Sequence, residues 1–488
     1  MKPNILFICT DQQRYDMLSC YGNPHIHTPT IDSLAETGVL FEQCYVQNPV
    51  CAPSRASLLT GRYPHAHGLW GNGVSLPAHE QLFTRALADD GYDCGMIGKW
   101  HQSACHGGRT EPRLDDGFRF YQWAHDPTHG SPENKYHRWL EKHHPERYAE
   151  ASANGFGRTG HVTVAFDTMP TEAHYSHWVA EMAIDFLNEQ TANDGEQPFF
   201  LWANFYDPHH PFVAPQEYID RVDRDALPRP IGYDQPGELD SKPEVLRQAS
   251  AKSYGGIAKG FLEYTEDEVQ DAIAANYAMV MLIDDEIKRI LATLEALGLR
   301  ENTLIIFTSD HGEMQGDHHL FLKGPMMYDP AVRVPLILHW PGVLPEGERR
   351  SDVVQWIDLC PTMLDAANLP PLPRNQAQSL LPLARGNDDA EARGWAICEY
   401  RDSGHPYDPA VHTTMLRHDR YKLIVFHGDP ATARKRTGEL YDLEADPNEL
   451  VNLWNNAEYI QLRLELQEML LDVLVATEDR SQPREAYW

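Results

Sequence analysis

NILFICTD, residues 4–11, is an apolar run that stops on an acid, and TLIIFTSD, residues 303–310, repeats the arrangement. Continuous apolar runs of this kind read as buried strands. Strands that alternate with helix-type segments build a parallel sheet covered by helices on both faces. FFLWANF (199–205) and VPLILHW (334–340) read as two further buried strands. Residues 266–299, EDEVQDAIAANYAMVMLIDDEIKRILATLEALGL, carry apolar side chains at helical spacing up to Gly298 and predict one long amphipathic helix. In sheets of this kind, ligands bind beyond the carboxyl ends of the strands, which is where Asp11 and Asp310 fall.

Two regions break the alternation. Residues 105–178 are rich in His, aromatic residues, Pro and Gly, and are expected to be long excursions from the sheet rather than core elements. LPPLPRN (369–375) reads as a boundary, giving a catalytic unit over 1–372 and a smaller α+β unit over 373–488 that contains YKLIVF and YDLEADPNE.

Composition narrows the function. The 488 residues are 42% hydrophobic and 23% charged, which fits a folded globular chain. With 41 Lys and Arg against 72 Asp and Glu, the net charge of -31 opposes a nucleic-acid backbone. A small anion entering a local basic pocket remains compatible with that charge. No apolar run approaches the length of a membrane span, and ILFIC near the N-terminus is too short for an export signal, so the chain is expected in the cytoplasm. Eight scattered cysteines without paired spacing would then be reduced. The tail EDRSQPREAYW (478–488) reads either as an arm reaching a second copy in a homo-oligomer or as a free end.

The polar clusters carry the chemistry. Asp11 and Gln12 at one strand end, with Asp310 and His311 at another, offer hard oxygen ligands and an imidazole suited to a divalent cation. Taken singly, a strand-terminal Asp also serves as a cap. GKWH (Lys99, His101), DPHHPF (His209, His210) and GDHHLFLKGP (His318, His319, Lys323) combine cations with groups that move protons near neutral pH. Asn72 in LWGNGV is an uncharged donor or a turn residue.

CAPSR (51–55), followed by ASLLTGRYPHAHG, resembles the sulfatase signature C-x-P-S-R with its trailing L-T-G-R. NILFICTDQ, TPTIDSLAETGVLFEQCY, GKWH, PHHPF, SDHGE, KGPMMYDPAVRVPLIL and ELYDLEADPNELVNL resemble further elements of that family in the same order. The resemblance implies an alkaline-phosphatase-like α/β fold: a mixed, mostly parallel sheet between helices, with a small C-terminal domain carrying an antiparallel sheet. It implies that Cys51 is oxidised to formylglycine by a formylglycine-generating enzyme that reads Pro53 and Arg55. The aldehyde hydrate would attack sulfur, release the alcohol, and then expel sulfate by cleavage of its carbon–oxygen bond.

Carried over by motif, Asp11, Gln12, Asp310, His311 and residue 51 would hold one divalent metal ion, Ca²⁺ first and Mn²⁺ second. Arg55, Lys99, His209 and Lys323 would neutralise charge on the transferred group. His101 would orient or deprotonate the hydrate, His209 with Lys323 second would protonate the leaving oxygen, and Asn72 and His210 would contact substrate. The expected substrate is a small-molecule, aryl or sugar sulfate ester. Gln12, where many sulfatases have a second acid, and Asn72 also resemble phosphonate monoester hydrolases, which use the same formylglycine. An inactive metal-binding member of the fold is the reading from another class. Trp100, Trp123, Tyr175 and Trp178 either line a substrate pocket or anchor their loops.

Overall fold

The computed structural model describes residues 2–153, 169–192, 197–387, 390–429 and 435–479. Among them, the apolar runs form strands β1 (Asn4–Thr10), β2 (Val39–Tyr45), β3 (Asp93–Gly98), β4 (Phe120–Trp123), β5 (Phe199–Asn204), β6 (Thr303–Ser309), β7 (Arg333–His339) and β8 (Glu348–Gln355). They make one eight-stranded sheet in the order β8-β2-β7-β6-β1-β5-β3-β4. Every residue of β1 is buried, and its side chains alternate between two cores. Ile5, Phe7 and Cys9 enter one, and Leu6 and Ile8 the other.

Helices cover both faces. Helix α1 (Cys51–Thr60) packs Ala52, Ala56, Leu58 and Leu59 into the first core. Helices α2 (Tyr175–Ala192) and α3 (Glu266–Ala296) fill the second. The long helix starts where its capping chemistry dictates. Thr265 Oγ1 accepts from the Glu268 amide at 3.2 Å while the Glu268 carboxylate accepts from the Thr265 amide at 2.8 Å.

The sheet is mixed and mostly parallel, as the resemblance implies: VPLILHW forms β7, which runs antiparallel to both β2 and β6, while the other pairings in the sheet are parallel. A parallel return needs a crossover to the far end of the sheet. Residues 310–332 instead stay at the carboxyl end of β6, where they contribute short helical turns and Lys323, so the chain must enter β7 from that end. One expectation is corrected: the segment 105–178 is less of an excursion than its composition implies. It supplies edge strand β4, two short helices and the start of α2. Trp100 and Trp123 belong to one core and Tyr175 and Trp178 to the other, so these rings anchor elements and do not line a pocket. Residues 154–168 of that segment, and residues 480–488 of the tail, lie outside the described residues. Among the described residues, no helix is long and apolar enough to cross a membrane.

A separate antiparallel meander follows, with β9 (Trp395–Arg401), β10 (His412–His418), β11 (Tyr421–Phe426) and β12 (Thr437–Asp442) paired in that order. One face sends Ala396, Cys398, Met415 and Ile424 into the core shared with the large sheet. The other, with Ile397, Leu416, Leu423 and Leu440, lies under helix α4 (Ile460–Ala476), which contributes Leu466, Leu470 and Val473.

A buried ion cluster ties the two sheets together. Lys422 on β11 pairs with Asp329, at the entry to β7, and lies 2.7 Å from Glu449. Asp329 also takes Arg333 at 3.1 Å. Burial alone would raise the Asp329 carboxyl, but Lys422 and Arg333 outweigh it and hold that carboxyl well below its usual range. Removing one member of such a cluster leaves an uncompensated buried charge. Lys422→Met is therefore expected to lower stability by about 3–5 kcal/mol, read as a drop in the urea midpoint. An unchanged midpoint would mean that the cluster is not a structural tie.

Candidate active site

Strand register creates the site. β1 pairs with β6 so that Thr10 lies opposite Ser309, and the next residues, Asp11 and Asp310, therefore leave the sheet side by side. Helix α1 begins just in front of them. Its first residue, Cys51, and the nine that follow are all buried, and the orphan amides of its first turn favour negative charge at residue 51. One of these amides, that of Ala52, donates to Asn72 Oδ1 at 3.1 Å.

Arg55, one turn into α1, reaches back between the two acids. Its Nε donates to Asp310 at 2.7 Å and its Nη2 to Asp11 at 3.3 Å. Its Nη1 is taken by the Lys99 carbonyl at 3.0 Å and by Asn204 Oδ1 at 2.9 Å. That reach requires Gly98: a Cβ there would lie 2.2 Å from the Asn204 carbonyl, and its φ of +91° is left-handed. Lys99, immediately after, pairs with Asp11 at 2.7 Å.

The Cys51 sulfur is the hub of the remaining groups. It lies 3.0 Å from His311 Nε2, 3.1 Å from Lys323 Nζ, 3.4 Å from Lys99 Nζ and 3.5 Å from Asp11 Oδ1. Burial pushes this thiol up, yet Lys323, Lys99 and His311 together hold it well below its ordinary value. The environment is built to carry an anion at position 51. Burial and the neighbouring Cys51 oppose charge on Asp11, yet Lys99 and Arg55 hold it ionised, well below the usual carboxylate range.

The donor set fits a divalent cation. Ligand atoms of Asp11, Cys51, Asp310 and His311 all lie within 4.8 Å of one another and are buried. The Nδ1 of His311 donates to the Gly312 carbonyl at 2.9 Å, which points Nε2 toward both carboxylates at 3.7 Å. Gln12, in the left-handed region at φ +66°, receives Lys323 on its Oε1 at 2.7 Å. Its Nε2 is taken by the buried carboxylate of Glu313 and lies 3.0 Å from His210 Nδ1.

His209 sits on the opposite side of Lys323. Its Nδ1 donates to the His210 carbonyl at 2.6 Å, so its Nε2 accepts from Lys323 at 2.9 Å. Burial, reinforced by Lys323, lowers this imidazole to about 4, which makes it neutral near pH 7. His101, at φ +61°, interacts with Cys51, and its amide is held at 2.9 Å by Glu111. Cys51, Lys99, His101, His209 and Lys323 open on a cleft of about 550 Å³, with Asn72, His210, Tyr254 and His405 on its walls.

The structure thus gathers Asp11, Gln12, Cys51, Arg55, Asn72, Lys99, His101, His209, His210, Asp310, His311 and Lys323 around one point. His318 and His319 turn away, to Glu238 at 2.6 Å and the Gln235 carbonyl at 3.3 Å. Sequence reasoning missed Glu313, Asn204 and Glu111. Glu313 closes the SDHGE run and Asn204 ends a buried strand, so both carried a positional signal. Glu111 carried none. Its carboxylate collects the amides of His101, Gln102 and Ser103 and the indole of Trp123 only once the chain has folded.

Comparison with known proteins identifies the family of the chain. A family model described as Sulfatase matches residues 3–369, and one described as N-sulphoglucosamine sulphohydrolase, C-terminal, matches residues 316–476. The chain is 30% identical to the uncharacterized sulfatase YidJ of Escherichia coli (strain K12) over 97% of its own length and 87% of that protein's. It is 30% identical to an arylsulfatase of Clostridium perfringens, over 98% and 96% of the two chains. Among solved structures it resembles the phosphonate monoester hydrolase of Agrobacterium radiobacter, with a TM-score of 0.81 and 26% identity over 98% and 96% of the chains. With the first of these matches covering the whole large sheet and every residue around Cys51, the chain belongs to the sulfatase family, the sulfuric ester hydrolases.

Proposed function

We propose that this protein hydrolyses small sulfate esters in a metal-dependent reaction whose nucleophile is the formylglycine hydrate derived from Cys51. The observation that carries the reading is the position of the Cys51 sulfur, buried at a helix N-terminus within 3.5 Å of Asp11, His311, Lys99 and Lys323. Asp11, Asp310, His311, Gln12 and residue 51 would hold the cation, Ca²⁺ first and Mn²⁺ second because of the Gln and His donors. When bound, it supplies Lewis acidity toward the nucleophile and the ester.

The chain's own residues then divide the work. Lys99 and Lys323 place two ammonium groups against the anion that the transferred sulfuryl group carries, and Arg55 pairs with both carboxylates beneath it. Lys323 holds the proton in its hydrogen bond to His209. We therefore assign donation to the leaving oxygen to Lys323, with His209 as the acceptor that orients it. His101 takes the proton from the second hydroxyl of residue 51, so that the carbon–oxygen bond breaks and sulfate departs. Because Cys51, Pro53 and Arg55 are fully buried, the modifying enzyme has to read this segment before α1 docks on the sheet.

A second reading, phosphonate monoester hydrolysis, draws support from Gln12 and from the likeness to the Agrobacterium enzyme. Lys99 and His101, both facing residue 51, favour the sulfate ester. The test is kcat/KM for an aryl sulfate against an aryl phosphonate monoester on enzyme whose residue-51 peptide mass shows the aldehyde. A preference for the sulfate is expected, and a phosphonate preference beyond about 1.4 kcal/mol, tenfold, would reverse the order.

Two further outcomes follow from the geometry. Lys323→Met should lower kcat by about 10²–10⁴ for alkyl sulfates with a poor leaving group, and much less for a nitrophenyl sulfate that needs no acid. Equal losses for both would remove Lys323 from that role. Glu313→Gln should remove the negative charge behind the Gln12 amide and weaken metal retention by about 10–100-fold, measured by chelator titration with metal readout.

A further inference from the structure

We propose that His101, Cys105 and His125 form a second cation site at the wall of the cleft, one that selects a thiophilic divalent ion such as Zn²⁺ and inhibits the enzyme when filled. Ligand atoms of the three side chains all lie within 4.8 Å of one another. Cys105 Sγ is 3.3 Å from His125 Nδ1 and 3.4 Å from its Nε2, and the His101 and His125 rings meet edge to face at 4.6 Å. His101 Nδ1 is buried and has no hydrogen-bond partner among the described residues. Simple packing would explain a buried cysteine but not an imidazole nitrogen left without a partner beside it.

The chemistry of the donors decides the ion. Two imidazoles and one thiolate are borderline-soft ligands, which suit Zn²⁺ and not a hard, oxygen-seeking Ca²⁺. The Asp11 cluster has the opposite bias, with two carboxylates among its donors. Three protein ligands leave a fourth tetrahedral position, and all three residues border the cleft, so a water or an anion can complete the shell. Burial, with His101 and Lys99 adding to it, lowers His125 well below its ordinary value, which leaves the imidazole neutral with a lone pair to offer. Burial raises the Cys105 thiol, so added Zn²⁺ must displace its proton to solvent as the sulfur–zinc bond forms. The backbone is already fixed: His129 Nε2 donates to the Cys105 carbonyl at 2.6 Å, and Glu111 accepts from the His101 amide at 2.9 Å.

Filling the site immobilises His101. Inhibition rests on the role given to that residue in the proposed reaction, whereas metal binding itself does not. The experiment separates the two. In Ca²⁺-loaded Cys51→Ala protein, added Co²⁺ should give a near-ultraviolet thiolate-to-cobalt charge-transfer band. Cys105→Ser or His125→Asn in that background should each abolish the band. In the active enzyme, Zn²⁺ should inhibit aryl sulfate hydrolysis, and Cys105→Ser should raise the zinc needed by about tenfold or more, each variant measured against its own zinc-free rate. Absence of the band, a band that survives without Cys105, or equal zinc inhibition of both enzymes would overturn the assignment.

Discussion

The carboxyl edge of the sheet depends on Arg55 lying between Asp11 and Asp310. Strand register forces the two acids together in a place that water does not reach, where like charges cannot both persist unaided. Arg55 answers both at once and spends its remaining donors on the Lys99 carbonyl and Asn204. A buried ion cluster of this kind is weak evidence for stability, since its desolvation cost can match its attraction. It makes sense as preorganisation, because two carboxylates paired to one guanidinium and an ordered loop at Lys99 are in place before any substrate arrives.

The small C-terminal sheet takes part in the same architecture. Asn48, just ahead of α1, donates to the Glu399 carbonyl and, at 3.0 Å, to Ser403 Oγ. Ser403 in turn accepts from the Asn72 amide at 2.8 Å through its carbonyl, and Asn72 Oδ1 receives the second amide of α1. The start of the helix that presents residue 51 is thus gripped from the far side by the segment after β9. The buried Lys422 cluster performs the matching task between β11 and the entry to β7, so the loop carrying Lys323 is braced at its far end by the same small sheet.

How much of this was legible in the sequence follows from what each feature depends on. β1 and β6 could be read because strands buried on both faces are apolar along their whole length, and the acids that end them mark the active edge. The long helix could be read from its period and its stop at Gly298. The direction of β7 could not, because it is set by the path of residues 310–332 rather than by the apolar run itself. Trp100 and Trp178 looked equally suited to a pocket and to a core, and only the packing of α2 and β4 against the sheet separates these cases. The pairing of Gln12 with Glu313, which puts a carboxylate behind the amide at the position of the missing acid, joins residues 301 positions apart and needs the fold to appear.

The overall charge and the local charge point in opposite directions, and distance reconciles them. The net -31 is spread over surface carboxylates, whose reach in physiological salt is about 8 Å. Lys99 and Lys323 act at contact, inside a buried pocket where water screens them little. A small ester that fits the cleft meets chiefly these two ammonium groups. A long polyanion would have to lie across the acidic exterior to deliver one group to residue 51, and would meet repulsion along its length. On the proposed reaction, the same contrast favours a substrate whose charge is confined to the group being transferred.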